Sequence, residues 1–265
     1  MVRALGVIPA RYGSTRFPGK PLASLGGSTL LEHVFRRASI ARRLEKVVVA
    51  TDDERILEEC LRFGAEAVLT SAQHASGTDR IAEAILKMDR GFGVVVNVQG
   101  DEPFVSPTSL DRLVEAFDGE RPPEIATLAE PFASVEELFD PNTVKIVTAL
   151  DGRALYFSRS PIPYSRGGAT RLSLDFREAL EGRPGGLKGY RKHQGIYAYR
   201  REILLALTRL RPTPLERDEG LEQLRALQAG LTIRVLESDF HSVAVDTPED
   251  LARAEALLGE KDGGA

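Results

Sequence analysis

The chain has 265 residues, 42% of them hydrophobic, and a formal net charge of -4, enough to bury a sizeable core in one large α/β domain or a core with an appendage. Both signs of charge are spread along it, so the basic field that drives nucleic-acid binding is missing and no nucleic-acid partner is expected. Cys60 is the one cysteine, no apolar run approaches 18 residues, and the N-terminal apolar run is short for a signal peptide; the expectation is a soluble, cytoplasmic protein without disulfides or membrane insertion.

In chain order, ALGVIPA is a buried-type strand, and STLLEHVFRRASIA carries helical periodicity from about Ser28. KVVVAT is followed by DERILEECLRFG, EAVLT by TDRIAEAILKM, and GVVVNVQGD by PTSLDRLVEAF. Alternation of Val-rich and Ile-rich strands with helices is the signature of βαβ units around a mostly parallel sheet. Cys60 falls inside a helical run, where a small buried residue is the default. After about residue 124 the rhythm changes to EIATLAEPF, TVKIVTAL, ALYFSRSPIP and HQGIYAYR, which reads as an antiparallel extension or a projecting hairpin. Residues 165–189 hold six glycines and scattered charges and read as a mobile or partner-facing loop. Helices return at PLERDEGLEQLRALQAG and a strand follows at TIRVLES. In the final VAVDTPEDLARAEALLG, Thr247 offers an N-cap with Pro248 at the first helical position. The fold class is therefore α/β: one domain over 1–260 with a Rossmann-like mixed, mostly parallel sheet flanked by helices, a small antiparallel extension at 150–190, and a tail at 261–265.

Ligands in such sheets lie beyond the carboxyl ends of the strands, which gathers PARYGSTRFPGK, TDDE and QGDEP on one edge. The first of these fails as a Walker A loop. Five residues separate Gly13 from Gly19 where four are required, and Pro21 stands where a hydroxyl would meet Mg²⁺. Its glycines still let the backbone approach a ligand, and Arg11, Arg16 and Lys20 can neutralise a polyphosphate, so an NTP is the natural occupant. A solvated cationic loop is the alternative. Asp101, beside Glu102, follows VVVNVQG, and Asp246 follows VAV; carboxylates at strand ends are oxygen ligands of the kind Mg²⁺ takes. Capping is the alternative for Asp246, although Thr247 already offers that cap, and Asp52 reads as an N-cap. In SGTDR, Ser76 or Thr78 caps the next helix, or Arg80 and the turn backbone read a base. His193 and Tyr197 are four apart and share a strand face, as part of a polyol pocket or with His193 as a core histidine bonded to backbone. His33 and His74 have no such company, and the histidines and cysteine show no zinc spacing.

The ordered set PARYGSTRFPGKPL, SGTDR, VVNVQGDEP, ALYFSRSPIP, HQGIYAYR, LEQLRAL and VDTPEDL resembles the 3-deoxy-manno-octulosonate cytidylyltransferase (CMP-Kdo synthetase) family from residue 4 to about 258. Gly13 and Phe17 replace the more usual Ala and Leu, and 165–189 does not match. The resemblance implies a fold of the nucleotide-diphospho-sugar transferase type and a homodimer with contacts from 150–190. It also implies a Mg²⁺-dependent reaction of CTP with the acid sugar Kdo to give CMP-Kdo and pyrophosphate for lipopolysaccharide synthesis. By the same resemblance, Arg11 and Lys20 grip the triphosphate with Arg16 or Ser14 assisting and Ala10 beside them. Arg80 and Gln99 line the nucleotide and the space next to it, Asp101 and Asp246 hold Mg²⁺, and Arg159, His193, Tyr197, Glu222 and Gln223 join Gln99 in meeting Kdo. The anomeric hydroxyl attacks the α-phosphorus in line, which asks for positioning and charge neutralisation and names no protein base. Three rivals stand beside this reading. One is a cytidylyltransferase for another acid sugar such as sialic acid; another is a glycosyltransferase, disfavoured because GDEP is not a DxD pair; the third is a noncatalytic nucleotide-binding module.

Overall fold

The computed structural model describes residues 1–13, 16–88, 91–164, 177, 180–181, 186–238, 240–241 and 243–262. Ser14 and most of 165–189 lie outside the described residues, and with them the expected loop and its dimer contacts. The chain folds as two compact units: Met1–Pro122 with Ile196–Arg209 and Phe240–Ala265, and Pro123–Gly195 with Leu210–Asp239.

In the first unit, β1 (Ala4–Ala10) is followed by a small hairpin, β2 (Ser24–Leu25) and β3 (Ser28–Thr29), then by α1 (Leu30–Ser39), β4 (Lys46–Thr51) and α2 (Glu54–Phe63). Next come β5 (Glu66–Leu69), α3 (Gly77–Lys87), β6 (Val94–Asn97) and α4 (Pro107–Glu115). Strands run parallel in the order β6-β1-β4-β5, with Val7 opposite both Val48 and Asn97. Val7, Ile8, Val48, Val49, Val95 and Val96 are buried, the pattern of strands covered on both faces. Each of these four helices starts where a side chain satisfies an orphan amide. The side chains of Thr29, Asp53, Ser76 and Ser106 accept from the amides of Glu32, Arg55, Asp79 and Ser109. Thus α1 begins at Leu30, after the hairpin, and the N-cap of α2 is Asp53, not Asp52. Cys60 is fully buried on α2, and burial pushes its thiol up to about 12.

The second unit holds β7 (Ile125–Pro131), α5 (Val135–Phe139), β8 (Lys145–Thr148), β9 (Ala154–Ser158) and the first half of β10 (Arg191–Arg200). The second half of β10 runs antiparallel to β6 in the first unit, with Tyr197 opposite Asn97, and leads into α6 (Arg201–Leu207). The second unit continues with α7 (Pro214–Glu219), α8 (Gln223–Gln228) and β11 (Ile233–Glu237), and the first unit closes with α9 (Pro248–Asp262). The antiparallel extension expected after residue 124 is the β8–β9 pair, while β11 lies parallel to β7. Lys145 is fully buried on β8, its Nζ donating at 2.7 Å to each of the carbonyls of Asp140, Thr143 and Arg159. Burial lowers its pKa, yet all three ammonium hydrogens have acceptors, which is the condition for keeping a charge inside. No helix among the described residues is long and apolar enough to cross a membrane.

Candidate active site

At the carboxyl end of β1 the first unit opens into a cleft of about 270 Å³. Its walls are the end of β1 and the following loop (Pro9 to Arg11, Arg16, Lys20), the strap and first turn of α3 (His74 to Gly77, Arg80), the turn after β6 (Gln99 to Asp101), and Asp246. Two glycines make this packing possible. Gly19 takes φ 72°, and its amide donates to the Tyr12 carbonyl at 2.9 Å, folding the loop back so that Lys20 enters a 3₁₀ turn over Lys20–Leu22. At Gly100 a Cβ would stand 2.9 Å from the Pro9 carbonyl oxygen. Only glycine lets the QGDEP turn lie against the end of β1.

The centre of the cleft is an ion cluster. Lys20 Nζ donates to Asp101 Oδ2 at 2.8 Å and to Asp246 Oδ1 at 3.0 Å, and Arg16 reaches Asp246 Oδ2 at 3.2 Å. The Lys20 side chain is only 13% exposed, so these contacts are partly shielded from water. Asp101 and Asp246 do come together, but not as two strand ends. Val243 to Asp246 is not a strand; the amide of Val245 donates to the Asp101 carbonyl at 2.8 Å and ties the segments to each other. The helix that follows is capped independently. Thr247 Oγ1 accepts from the Asp250 amide, and the Asp250 carboxylate accepts from the amides of Asp246 and Thr247, so the Asp246 carboxylate is spared that task. Two like charges this close need a cation between them, and here Lys20 supplies it. Among the described residues no group of three or more His, Cys, Asp or Glu side chains gathers as a metal cage. The donor set at the cleft is two carboxylates, the number Mg²⁺ ordinarily takes from protein when phosphate oxygens and water complete its shell.

Ala10 is buried at the end of β1, Arg11 is exposed at the rim, and Gln99 is half-buried in the wall. Arg80 is 3% exposed; its Nη1 donates to Thr70 Oγ1 at 2.6 Å and its Nη2 to Asp52 Oδ2 at 2.7 Å. Asp52 therefore serves as the counter-ion of a buried arginine, while the neighbouring Asp53 caps the helix. The sequence offers no signal for that exchange, because both aspartates sit at the same strand-to-helix junction. His74, set aside in the sequence, lines the cleft with its Nε2 against the Glu83 carboxylate. Nothing local marks that pair, which depends on the strap turning back over α3.

In the second unit the Arg159 Nε donates to the Glu219 carbonyl at 2.7 Å and its Nη1 to the Pro141 carbonyl at 2.8 Å, while its own amide donates to Glu219 Oε2 at 2.8 Å. Glu219 also accepts from Ser158 Oγ at 2.6 Å. Arg159 is thereby fixed to the segment that leads directly into Glu222, exposed at the start of α8, and Gln223, half-buried in its first turn. Glu219 escaped the sequence reading because PLERDE looks like a solvated charged helix face. The His193 ring packs edge-on to Phe157 at 5.1 Å, and Nε2 lies 3.0 Å from Thr127 Oγ1. That hydroxyl donates to the Gln194 carbonyl at 3.2 Å, so Nε2 is the donor in the other bond. Burial pushes the imidazole down to about 3, and it is neutral at physiological pH. Tyr197, in the first unit, is buried with its ring stacked on Tyr199 at 5.7 Å.

Comparison with known proteins adds the following. Residues 5–233 match the cytidylyltransferase family. The 3-deoxy-manno-octulosonate cytidylyltransferase of Syntrophotalea carbinolica is 46% identical over 95% of this chain and 97% of its own. That of Myxococcus xanthus is 46% identical over 98% of each chain. Among solved structures, a CMP:2-keto-3-deoxy-manno-octonic acid synthetase complexed with CTP superposes with a TM-score of 0.86 at 39% identity, covering 98% of this chain and 99% of that one. The 4-diphosphocytidyl-2C-methyl-D-erythritol synthase of Anaerococcus prevotii shares the fold, with a TM-score of 0.60 at 14% identity over 97% of this chain and 96% of its own.

Proposed function

The chain belongs to the 3-deoxy-manno-octulosonate cytidylyltransferase family, and from that premise we infer that it transfers the cytidylyl group of CTP to Kdo and releases pyrophosphate. The observation that carries this reading is the cleft at the end of β1, where Lys20 joins the Asp101 and Asp246 carboxylates and Arg11 and Arg16 stand at the same opening. Such a cleft suits phosphoryl transfer, which asks the protein for position and charge neutralisation.

In this reading Arg11, Arg16 and Lys20, with Ser14, hold the triphosphate and offset the charge that builds on the departing pyrophosphate. Ala10, Gln99 and the first turn of α3 wall the nucleotide, and Arg80 holds that wall to the strand edge through Asp52 and Thr70. Mg²⁺ fits the donor set, and Asp101 and Asp246 would hold it. When bound, it supplies charge neutralisation on phosphate oxygens and lowers the pKa of a coordinated hydroxyl. On the sugar side we assign Arg159, His193, Tyr197, Glu222 and Gln223 with Gln99. Support comes from the fixed placement of Arg159 next to the Glu222–Gln223 turn; His193 and Tyr197 are assigned on the family resemblance. A homodimer, a cytoplasmic location and a product destined for lipopolysaccharide belong to the same reading and rest on the family resemblance.

The test is pyrophosphate release with each of the four NTPs, alone, with Kdo and with sialic acid. A signal confined to CTP with Kdo is expected. Equal release with UTP, or release that sialic acid supports as well as Kdo, overturns the assignment.

A further inference from the structure

We propose that His74 contacts the nucleoside of the bound nucleotide and sets its selectivity, with Glu83 as its positioning residue. The proposal rests on the nucleotide lying in the β1 cleft, as argued above. His74 is part of the cleft wall, beside Ser76, Gly77 and Arg80. Its side chain is 22% exposed, so a bond made there is partly shielded from water.

The imidazole is held in one orientation. Its Nε2 meets Glu83 Oε2, and Glu83 is itself fixed by the Ser71 amide at 2.8 Å and by Lys87 Nζ at 2.7 Å. The Lys87 bond, with the Ser71 amide and His74, brings the Glu83 carboxyl down to about 2, so it is ionised and can only accept. Nε2 must then carry the hydrogen. Among the described residues the ring makes no other hydrogen bond, and in its neutral form it presents Nδ1 as an acceptor. Its complement is a hydrogen-bond donor. The phosphates of a nucleotide offer none at neutral pH; cytosine offers its 4-amino group and ribose its hydroxyls. Arg80, the side chain first expected to read the base, has both terminal nitrogens engaged by Thr70 and Asp52. His74 is better placed for that task, since among the described residues its second nitrogen has no partner.

Calorimetric titration of the full chain with CTP, UTP, 2′-deoxy-CTP and inorganic tripolyphosphate tests this, beside melting curves. Three variants are compared: His74→Ala, His74→Gln and Glu83→Ala. The amide nitrogen of Gln can still donate to Glu83, so His74→Gln keeps the strap while its remaining acceptor, Oε1, no longer stands at the Nδ1 position. Both His74 variants should bind CTP about tenfold more weakly, with tripolyphosphate affinity within about twofold of the parent. If the base amine is the donor, the preference for CTP over UTP narrows; if the ribose is, the preference for CTP over 2′-deoxy-CTP narrows. Glu83→Ala should weaken CTP less than His74→Ala and add little to it in the double variant. Full CTP affinity in His74→Gln overturns the proposal, and so does a parallel loss for CTP and tripolyphosphate. Pyrophosphate release by the unaltered chain with CTP and Kdo is measured separately. Its absence would sink the functional reading while leaving the binding ratios interpretable.

Discussion

Replacing Lys20 by Met removes the charged ammonium and keeps most of the length of the side chain, which makes it a direct probe of the ion cluster. The ammonium makes two charge-assisted hydrogen bonds, at 2.8 and 3.0 Å. Bonds of that kind are each worth about 1.5–3 kcal/mol when shielded. The carboxylates of Asp101 and Asp246 are 26% and 37% exposed, so water recovers part of the loss and the net cost is about 2 kcal/mol. For a chain of this size that corresponds to a fall of roughly 4–8 °C in melting temperature. Two carboxylates stripped of their ammonium also become a better divalent-cation site. Millimolar Mg²⁺ without nucleotide should therefore raise the melting temperature of Lys20→Met more than that of the parent, where the cation must compete with Lys20. Turnover should fall at least about tenfold, because the triphosphate loses a counter-charge in the transition state. Scanning calorimetry of both proteins with and without Mg²⁺ measures the first two effects. An unchanged melting temperature together with an identical Mg²⁺ response would refute the cluster as a stabilising and cation-holding unit.

Asp246→Asn keeps the size of the side chain, and Thr247 and Asp250 still cap α9, so its melting temperature should fall by no more than about half as much as that of Lys20→Met, while the Mg²⁺ needed for half-maximal rate rises and turnover drops. A parental Mg²⁺ titration would take Asp246 out of the metal site. Gly100→Ala forces a Cβ to within 2.9 Å of the Pro9 carbonyl; overpacking of this kind costs about 1–3 kcal/mol, and by shifting the turn that carries Asp101 it should also lower turnover, whereas unaltered melting and rate would show that the turn does not need this close approach. His193 is held at about 3 in the folded protein against roughly 6.5 unfolded. Its contribution is complete above about pH 6.5 and is lost as pH falls from there toward 3, because the unfolded chain takes up the proton first, at about 1.4 kcal/mol per pH unit. In His193→Asn the stability measured by urea unfolding should fall less steeply with acid over that window by this amount, and equal slopes would mean the imidazole is not buried as a neutral group.

Local pattern suffices for a good part of this molecule. Val-rich runs without a polar face announce the parallel strands, since a strand covered by helices on both sides has no polar face to display. Ser76 and Thr247 announce their helix starts, because a capping oxygen acts on amides two or three residues away. The cleft follows from the same logic: a loop with Arg11, Arg16 and Lys20 leaving a strand's carboxyl end, and QGDEP leaving a neighbouring one, must meet at the edge where the strands end.

What local pattern does not contain is the choice among equivalent partners far apart in the chain. Asp52 and Asp53 are interchangeable as caps by sequence, and the buried Arg80, fixed by its helix, selects Asp52 as counter-ion and leaves Asp53 to cap. Asp246 reaches Asp101 without a strand, through one backbone bond from Val245, and Lys20, remote from both in sequence, bonds the two carboxylates. His74 becomes part of the cleft only because Glu83, Ser71 and Lys87 converge behind it. Each of these arrangements depends on distances between segments that are remote in sequence. Hydrogen bonds and ion pairs fall off within a few ångströms, so the packing of strands and helices decides which of the possible pairs forms.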